Sequence, residues 1–352
     1  MRSRYRAVRE QISACCASPL DDRPFRAAVL EAFGRAVPFD AYVWVLTDPV
    51  SSVGVSPLAY LPSFDMRRLP RLIRAKYATA INRWTMLDGC VSLAASTAGQ
   101  LSDSRLWRVA SEDLTVADIA SMVLRDRYGC WGFVDLWRYD GPPFGDEECA
   151  FAATLMATIT GAQRARVARM FDSAPDQPSI GPALVLYDDD LNAVGETPAA
   201  IHSFRRLLPP NPGDSPVPAA ALNVAAQLLA ANQGVDASEA TSRVHAGGGV
   251  WMTLTAARLQ ASSPGTPSLI AVTVDPITLT ERVDVFSRAT GLTPRETEVL
   301  VELSRGNSTR RIAGELRVSE YTVQEHLKAI FAKSETASRA QLVARACGSV
   351  TA

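Results

Sequence analysis

Near the C-terminus the chain spaces Val323, Leu327, Ile330 and Phe331 at i, i+4, i+7 and i+8, which puts all four on one side of a helix. The opposite side then presents Tyr321, Gln324, Glu325 and Lys328. These are side chains whose chemistry suits the edges of bases. A Gln amide pairs with adenine N6 and N7, a Lys ammonium with guanine, and a carboxylate accepts from cytosine N4. A helix of about 14 residues is roughly 21 Å long and fits the major groove. Around it, Ser308, Thr309, Arg310, Arg311, Thr322, His326, Lys333 and Arg339 supply hydroxyls and cations suited to phosphates, contacts that position a duplex without reading it.

Other candidate chemistry is thinner. Tyr42, Trp44, Trp84, Trp107, Trp131 and Phe133 are large aromatic residues that could line a ligand cavity in the first domain, residues 1–173. Asp188, Asp189 and Asp190 follow a β-like run and have the look of an acidic phosphoacceptor pocket. That chemistry needs a lysine nearby, and none occurs between Lys76 and Lys328, so a polar hairpin turn is expected. His202 and His245 lack metal-ligand spacing. Cys15, Cys16 and Cys130 are expected to be inert thiols. No G-x-S-x-G, H-E-x-x-H, phosphate-binding glycine loop or dinucleotide fingerprint occurs. The expectation is therefore a non-enzyme without metal or cofactor.

The base-reading candidates need a scaffold, and the tail spells one out. Thr293-Pro294-Arg295-Glu296 is a capping box with proline at the first helical position, and its helix carries Val299, Leu300 and Leu303 inward and stops at Gly306. A second helix starts at Ser308 and buries Ile312, Ala313 and Leu316. The third starts at Ser319, and a fourth runs from about Ser338 through Leu342 and Val343. Only Leu316 to Val318 separates the second from the third. Four short helices with that tight junction predict a helix-turn-helix.

LTPRETEVL at Leu292–Leu300, Gly306, IAGELRVS at Ile312–Ser319, TVQEHLKAIFAK at Thr322–Lys333 and SRAQLVA at Ser338–Ala344 together resemble the LuxR-type helix-turn-helix domain. The resemblance implies a four-helix module, usually dimeric on DNA, with its third helix in the major groove. One position departs from it: the family usually has glycine where this chain has Glu335, and glycine there would supply a left-handed helix stop.

Upstream, Phe25, Val29, Leu30 and Phe33 predict a helix, Ala41–Leu46 a strand, and Ile119–Asp140 an antiparallel hairpin about Arg125–Gly129. A long helix capped by Gly145 or Asp146 follows, with Phe151, Leu155 and Ile159 on one stripe. The hairpin RDRYGCWGFVDLW and the PFGDEECAF helix start resemble the end of a GAF domain. Beyond it, Ala183–Tyr187 and Ala193-Val194 form a predicted hairpin. Helices near Ala199–Leu208 and Ala219–Ala231 and β runs at Val250–Leu259 and Leu269–Val274 then suggest a five-stranded antiparallel sheet. This order resembles a PAS domain, and both resemblances imply a small-molecule or protein input.

The fold class expected is thus two α+β sensor domains, GAF-like (1–173) and PAS-like (180–275), a connecting helix (276–290) and an all-α helix-turn-helix domain (291–352). A linker is expected at Ala174–Ser179.

Bulk properties constrain partners. The 352 residues carry a net charge of −1, so DNA attraction must come from local placement. The stretch from Gly291 on has nine Arg/Lys against seven Asp/Glu. No apolar run reaches the roughly 18 residues of a membrane span, and no apolar stretch follows the charged N-terminus as a signal peptide requires. Six scattered cysteines suit a reducing compartment. The expected protein is a cytoplasmic, homodimeric regulator of transcription that binds a near-palindromic double-stranded operator and answers to a small-molecule or protein effector. The alternative is an interaction scaffold whose tail has lost DNA binding, as Glu325 and Glu335 would suggest.

Overall fold

The computed structural model describes residues 2–173, 181–207, 218–260 and 268–348. The expected linker at Ala174–Ser179 and most of the proline-rich stretch from Pro209 lie outside the described residues.

The first region contains α1 (Arg2–Ala17), α2 (Asp22–Gly34), β1 (Ala41–Thr47), β2 (Gly54–Tyr60), α3 (Leu69–Tyr77), β3 (Cys90–Ser92), α4 (Leu93–Ser96), α5 (Arg105–Ala110), β4 (Asp118–Asp126), β5 (Gly129–Arg138) and α6 (Asp146–Arg169). Its sheet runs β2-β1-β5-β4-β3, every neighbouring pair antiparallel. Alternation along the strands separates two layers. Trp44, Met122, Leu124, Val134 and Leu136 meet α2 and α6 on one face. Ile119 and Trp137 join Leu72 of α3 and Leu106 and Ala110 of α5 in a separate cluster. Between the layers' apolar parts lies a buried ion pair, Lys76 Nζ to Asp135 at 2.8 Å. Asp135 also accepts from Ser121 Oγ at 2.6 Å.

The second region contains β6 (Ala183–Tyr187), β7 (Ala193–Glu196), α7 (Pro198–Leu207), α8 (Ala219–Asn232), β8 (Thr241–His245), β9 (Trp251–Arg258) and β10 (Ile270–Pro276). Its antiparallel sheet runs β7-β6-β10-β9-β8, the same order by position as the first. The five-stranded sheet is therefore as expected, with β8 as the strand that the sequence reading passed over. Helix α8 (AAALNVAAQLLAAN) is apolar nearly all round, the pattern of a helix covered on every side. It packs on β9 and β10 of its own sheet and on β2 and α3 of the first region.

The third region is all helical: α9 (Leu279–Thr290), α10 (Pro294–Ser304), α11 (Thr309–Leu316), α12 (Glu320–Ser334) and α13 (Arg339–Cys347). Pro276, expected to open the connecting helix, instead closes β10 opposite Met252, and Thr278 caps α9 through a box with Glu281. Nor is α9 a bare connector. Its Val283, Val285, Phe286 and Ala289 are buried, and it packs on α6, α10 and α13. Gly291 ends it in the left-handed region (φ 72°), where a Cβ would come 2.9 Å from Arg164 Nη1. Among the described residues no helix is long and apolar enough to cross a membrane.

Candidate nucleic-acid interface

Helices α11 and α12 are joined by Arg317, Val318 and Ser319 alone. Arg317 takes the left-handed conformation (φ 53°, ψ 48°), and Val318 N–H donates to Ala313 O at 3.0 Å, which closes α11. Ser319 Oγ accepts from Thr322 N–H at 3.0 Å and opens α12. Val323, Leu327 and Ile330 are buried and Phe331 packs beside them, so the inward stripe read from the spacing is the stripe observed.

The outward face follows. Tyr321 is 74% exposed, and Gln324, Glu325 and Lys328 are exposed with it. Gln324 Nε2 donates to Thr309 Oγ1 at 3.4 Å, and Arg339 donates to the same hydroxyl, so Thr309 ties α11, α12 and α13 at one point. Lys328 Nζ sits 2.7 Å from Glu325 Oε1. A pair this exposed is worth little, so a guanine or a phosphate can outcompete the carboxylate for the ammonium. Ser308 caps α11, Thr322 shares a hydroxyl contact with Ser319, and Arg310 and Arg311 are exposed. His326 is half-buried. Arg317 is an exposed cation in the turn itself that the sequence reading passed over.

Lys333, grouped with the phosphate candidates by sequence, is engaged elsewhere. Its Nζ lies 2.6 and 2.9 Å from the two carboxylate oxygens of Glu296. Glu296 Oε2 also accepts from Thr293 N–H at 2.7 Å, so one carboxylate caps α10 and braces it against α12. Burial raises the Glu296 carboxyl, but Lys333 and the Thr293 backbone outweigh it and leave it below its ordinary value. A lowered carboxyl stabilises the fold fully above the unfolded value, about 4.3 for Glu, and loses that contribution as pH falls through the lower folded value. Glu296→Gln is expected to cost about 1–2 kcal/mol at pH 7, a gap that narrows below about pH 4.3. Urea melts of both proteins across pH 7 to 3 check this; a gap constant with pH would refute the ion-pair origin.

Glu335 adopts φ 52°, ψ 41° and closes α12 by donating to Phe331 O. The left-handed stop is thus made without glycine, at a cost of roughly 1–2 kcal/mol for a side chain in that region. Glu335→Gly is expected to recover about 0.5–1 kcal/mol after its own entropic penalty, measurable as a raised urea midpoint. A lowered midpoint would contradict the strain.

The six aromatic residues proposed for a ligand pocket do not surround one cavity. Trp44 faces α2 and α6 and borders a cavity of about 20 Å³, room for about one water. Phe133 points to the other face and stacks on Trp84 at 4.3 Å. Trp131 is fully buried and donates to Asp126 at 2.9 Å. Trp107 belongs to the second cluster and donates to Val116 O, while Tyr42 lies edge-on to Phe39. Strand alternation and separate covering helices disperse them. Asp188 accepts from Asp190 and Asn192 N–H groups in a hairpin turn, whereas Asp189 and Asp190 pair with Arg258 and Arg74. No metal-binding cluster occurs among the described residues.

Comparison with known proteins bears on the same helices. Residues 290–346 match the family described as "Bacterial regulatory proteins, luxR family". Over 50 residues the chain is 46% identical to the "Uncharacterized transcriptional regulatory protein YhcZ" of Bacillus subtilis (strain 168), a match that spans 14% of this chain and 23% of that protein. With the short turn, the capped third helix and its exposed polar face in place, residues 290–346 are a LuxR-family helix-turn-helix domain.

Proposed function

We propose that this protein is a cytoplasmic, sequence-specific DNA-binding regulator of transcription, with α12 as the recognition helix. The observation that carries the reading is the α12 surface: its buried stripe is spent on α10 and α11, while Tyr321, Gln324, Glu325 and Lys328 stand exposed. Gln324 and Lys328 read bases, and Ser308, Thr309, Arg310, Arg311, Thr322 and Arg339 hold phosphates. The protein acts as a homodimer on a near-palindromic operator, whose half-sites then lie about 34–36 Å apart or a multiple of that.

Input comes through the first two regions, read as GAF-like (1–173) and PAS-like (180–275). Two antiparallel sheets with the same strand order, each with helices inserted between its second and third strands, support that reading. An effector that alters their packing acts on the DNA reader through α9, which touches both α6 and α13.

Retention of genomic fragments by the purified chain across a salt series tests the proposal. A shared near-palindromic site whose affinity falls steeply with salt is expected. Lys328→Ala is expected to weaken that site by about 1–3 kcal/mol, roughly 5- to 150-fold, with much less effect on unrelated DNA. Equal loss on both would make Lys328 a phosphate contact. The second reading is a scaffold with a tail that no longer binds DNA; the pairs Lys328–Glu325 and Lys333–Glu296, which neutralise both lysines of α12, favour it. Absence of retained fragments at any salt, by full chain and tail alike, would select it.

A further inference from the structure

Arg282 of α9 is 4% exposed and has no carboxylate partner among the described residues. Its Nη1 donates to Gly249 O at 3.1 Å and its Nη2 to Arg345 O at 3.2 Å, while Nε has no acceptor among the described residues. The guanidinium lies over the Phe171 ring, 4.9 Å from the centroid. Isolated charge in such a place is costly unless a counter-charge is supplied. Burial accordingly lowers Arg282 to about 10.

Among the described residues no carboxylate is set against Arg282; the acid beside it is the Cys347 thiol, which burial holds above its ordinary value. His245 tilts against Trp251 at 5.3 Å, and Trp251 in turn stacks on Phe171 at 4.7 Å. Among the described residues the buried Trp251 indole N–H finds no acceptor, and His245 Nε2 finds no partner. Burial, then the Arg282 charge, lowers His245 to about 4, so the ring is neutral at pH 7. A second guanidinium, Arg345 of α13, stands 5.9 Å from the Phe286 ring, and its Nε is also unpartnered among the described residues. Its acid is Asp172, which is half exposed. Gly247, Gly248 and Gly249 form the edge of this place, all left-handed (φ 83°, 56° and 73°). A Cβ at Gly247 or Gly248 would meet nothing within 4 Å, so the loop presents bare backbone to an approaching ligand.

We propose that Arg282, with Trp251, His245 and the Gly247–Gly249 loop, forms a binding site for an anionic oxygen group, the phosphate or carboxylate of a small effector. Its occupation loosens α13. The coupling lies in the hydrogen bonds: Arg282 holds the second region through Gly249 O and the tail through Arg345 O, and an anion that takes the guanidinium competes with the second of these. The site rests on the reading of residues 290–346 as an effector-controlled DNA reader for its purpose, but not for its chemistry.

The test uses the full chain at constant pH 7 and ionic strength, with inorganic phosphate and acetate titrated against chloride. The chain has three histidines, so the His245 ring can be followed by NMR, with His245→Phe to assign it. Saturable movement of that signal by phosphate or acetate is expected, the stronger of the two naming the ligand class. Exchange of α13 amides is expected to quicken several-fold at saturation. Arg282→Gln should abolish both responses, and Arg282→Lys should retain a weaker one. If Arg282→Gln does not fold, calorimetry on His245→Phe replaces it, with about tenfold weaker binding expected. No response in the unmodified chain, or an equal one in Arg282→Gln, overturns the site. Binding with unchanged α13 exchange overturns the release. Operator binding without added anion is measured in parallel, so that failure of the anion site and failure of the DNA reading are told apart.

Discussion

Replacement of Asp48 by alanine is expected to destabilise the protein by about 3–5 kcal/mol and to split its unfolding into separable steps. Asp48 follows β1 and is wholly buried. One carboxylate oxygen accepts from Val50 and Ser51 N–H at 2.8 and 2.9 Å, which shapes the turn into β2. The other accepts from Arg243 N–H at 2.7 Å and Nε at 2.5 Å, and Arg243 Nη2 returns to the first at 2.8 Å. Arg243 lies on β8, so one carboxylate serves a turn of the first sheet and an inward cation of the second. Alanine leaves that guanidinium buried and unpaired, which costs more than the pair is worth. Asp48→Ala with Arg243→Met is therefore expected to regain much of the loss. Urea unfolding followed by tryptophan fluorescence and by circular dichroism measures both. A loss under about 1 kcal/mol for the single variant would mean that the pair is replaceable by water.

The tail was legible because its determinants are local. Thr293, Ser308, Ser319 and Ser338 each accept a hydrogen bond at the helix start assigned from sequence, and the 3.6-residue spacing sorts α12 into faces without knowledge of its partner. Lys333 shows the limit. Nothing near it in sequence announces Glu296, so its cation reads as free for phosphate. Glu335 shows another: the preference for glycine is real, but the Phe331 carbonyl and the packing of α12 impose the left-handed turn regardless.

Upstream, the hairpin of β4 and β5 was plain from two β-rich runs flanking the polar Arg125–Gly129, whereas α1 and β8 were not. Helix α1 is charged and buries chiefly Val8 and Ile12, and its Tyr5 stacks at 4.3 Å on Phe151, a residue of α6. Strand β8 (TSRVH) carries one large apolar residue, and its inward Arg243 makes sense only beside Asp48. Long-range charge matching and partner-dependent stacking leave no periodic trace. That is also why aromatic residues on opposite faces of the first sheet read as one pocket.

Phe171→Ala is expected to be as costly as loss of the Asp48 clasp, about 3–5 kcal/mol, and to act at a different place. Phe171 lies just past α6, 1% exposed. It stacks on Trp251 of β9 at 4.7 Å and meets Phe286 of α9 edge-on at 5.3 Å, with Arg282 over its face. One ring thus fills the space where the first region, the second sheet and the helix leading to the DNA reader converge. Alanine removes the contacts of all three at once, and buried Arg282 loses the aromatic surface that covers it. Val299, Leu300, Leu303, Ile312, Val323, Leu327 and Ile330 of α10 to α12 belong to the same continuous buried cluster as Phe171, but the rings that pack on Phe171 are Trp251 and Phe286. Hydrogen exchange is therefore expected to quicken in α9 and α13 well before it does in α11 and α12, while operator binding by the exposed α12 face persists. Phe171→Leu keeps most of the volume and is expected to cost less than about 1.5 kcal/mol. Uniform acceleration across the tail would show that α11 and α12 depend on the same junction, and the recognition helix would then be unable to hold its shape once the reader is undocked.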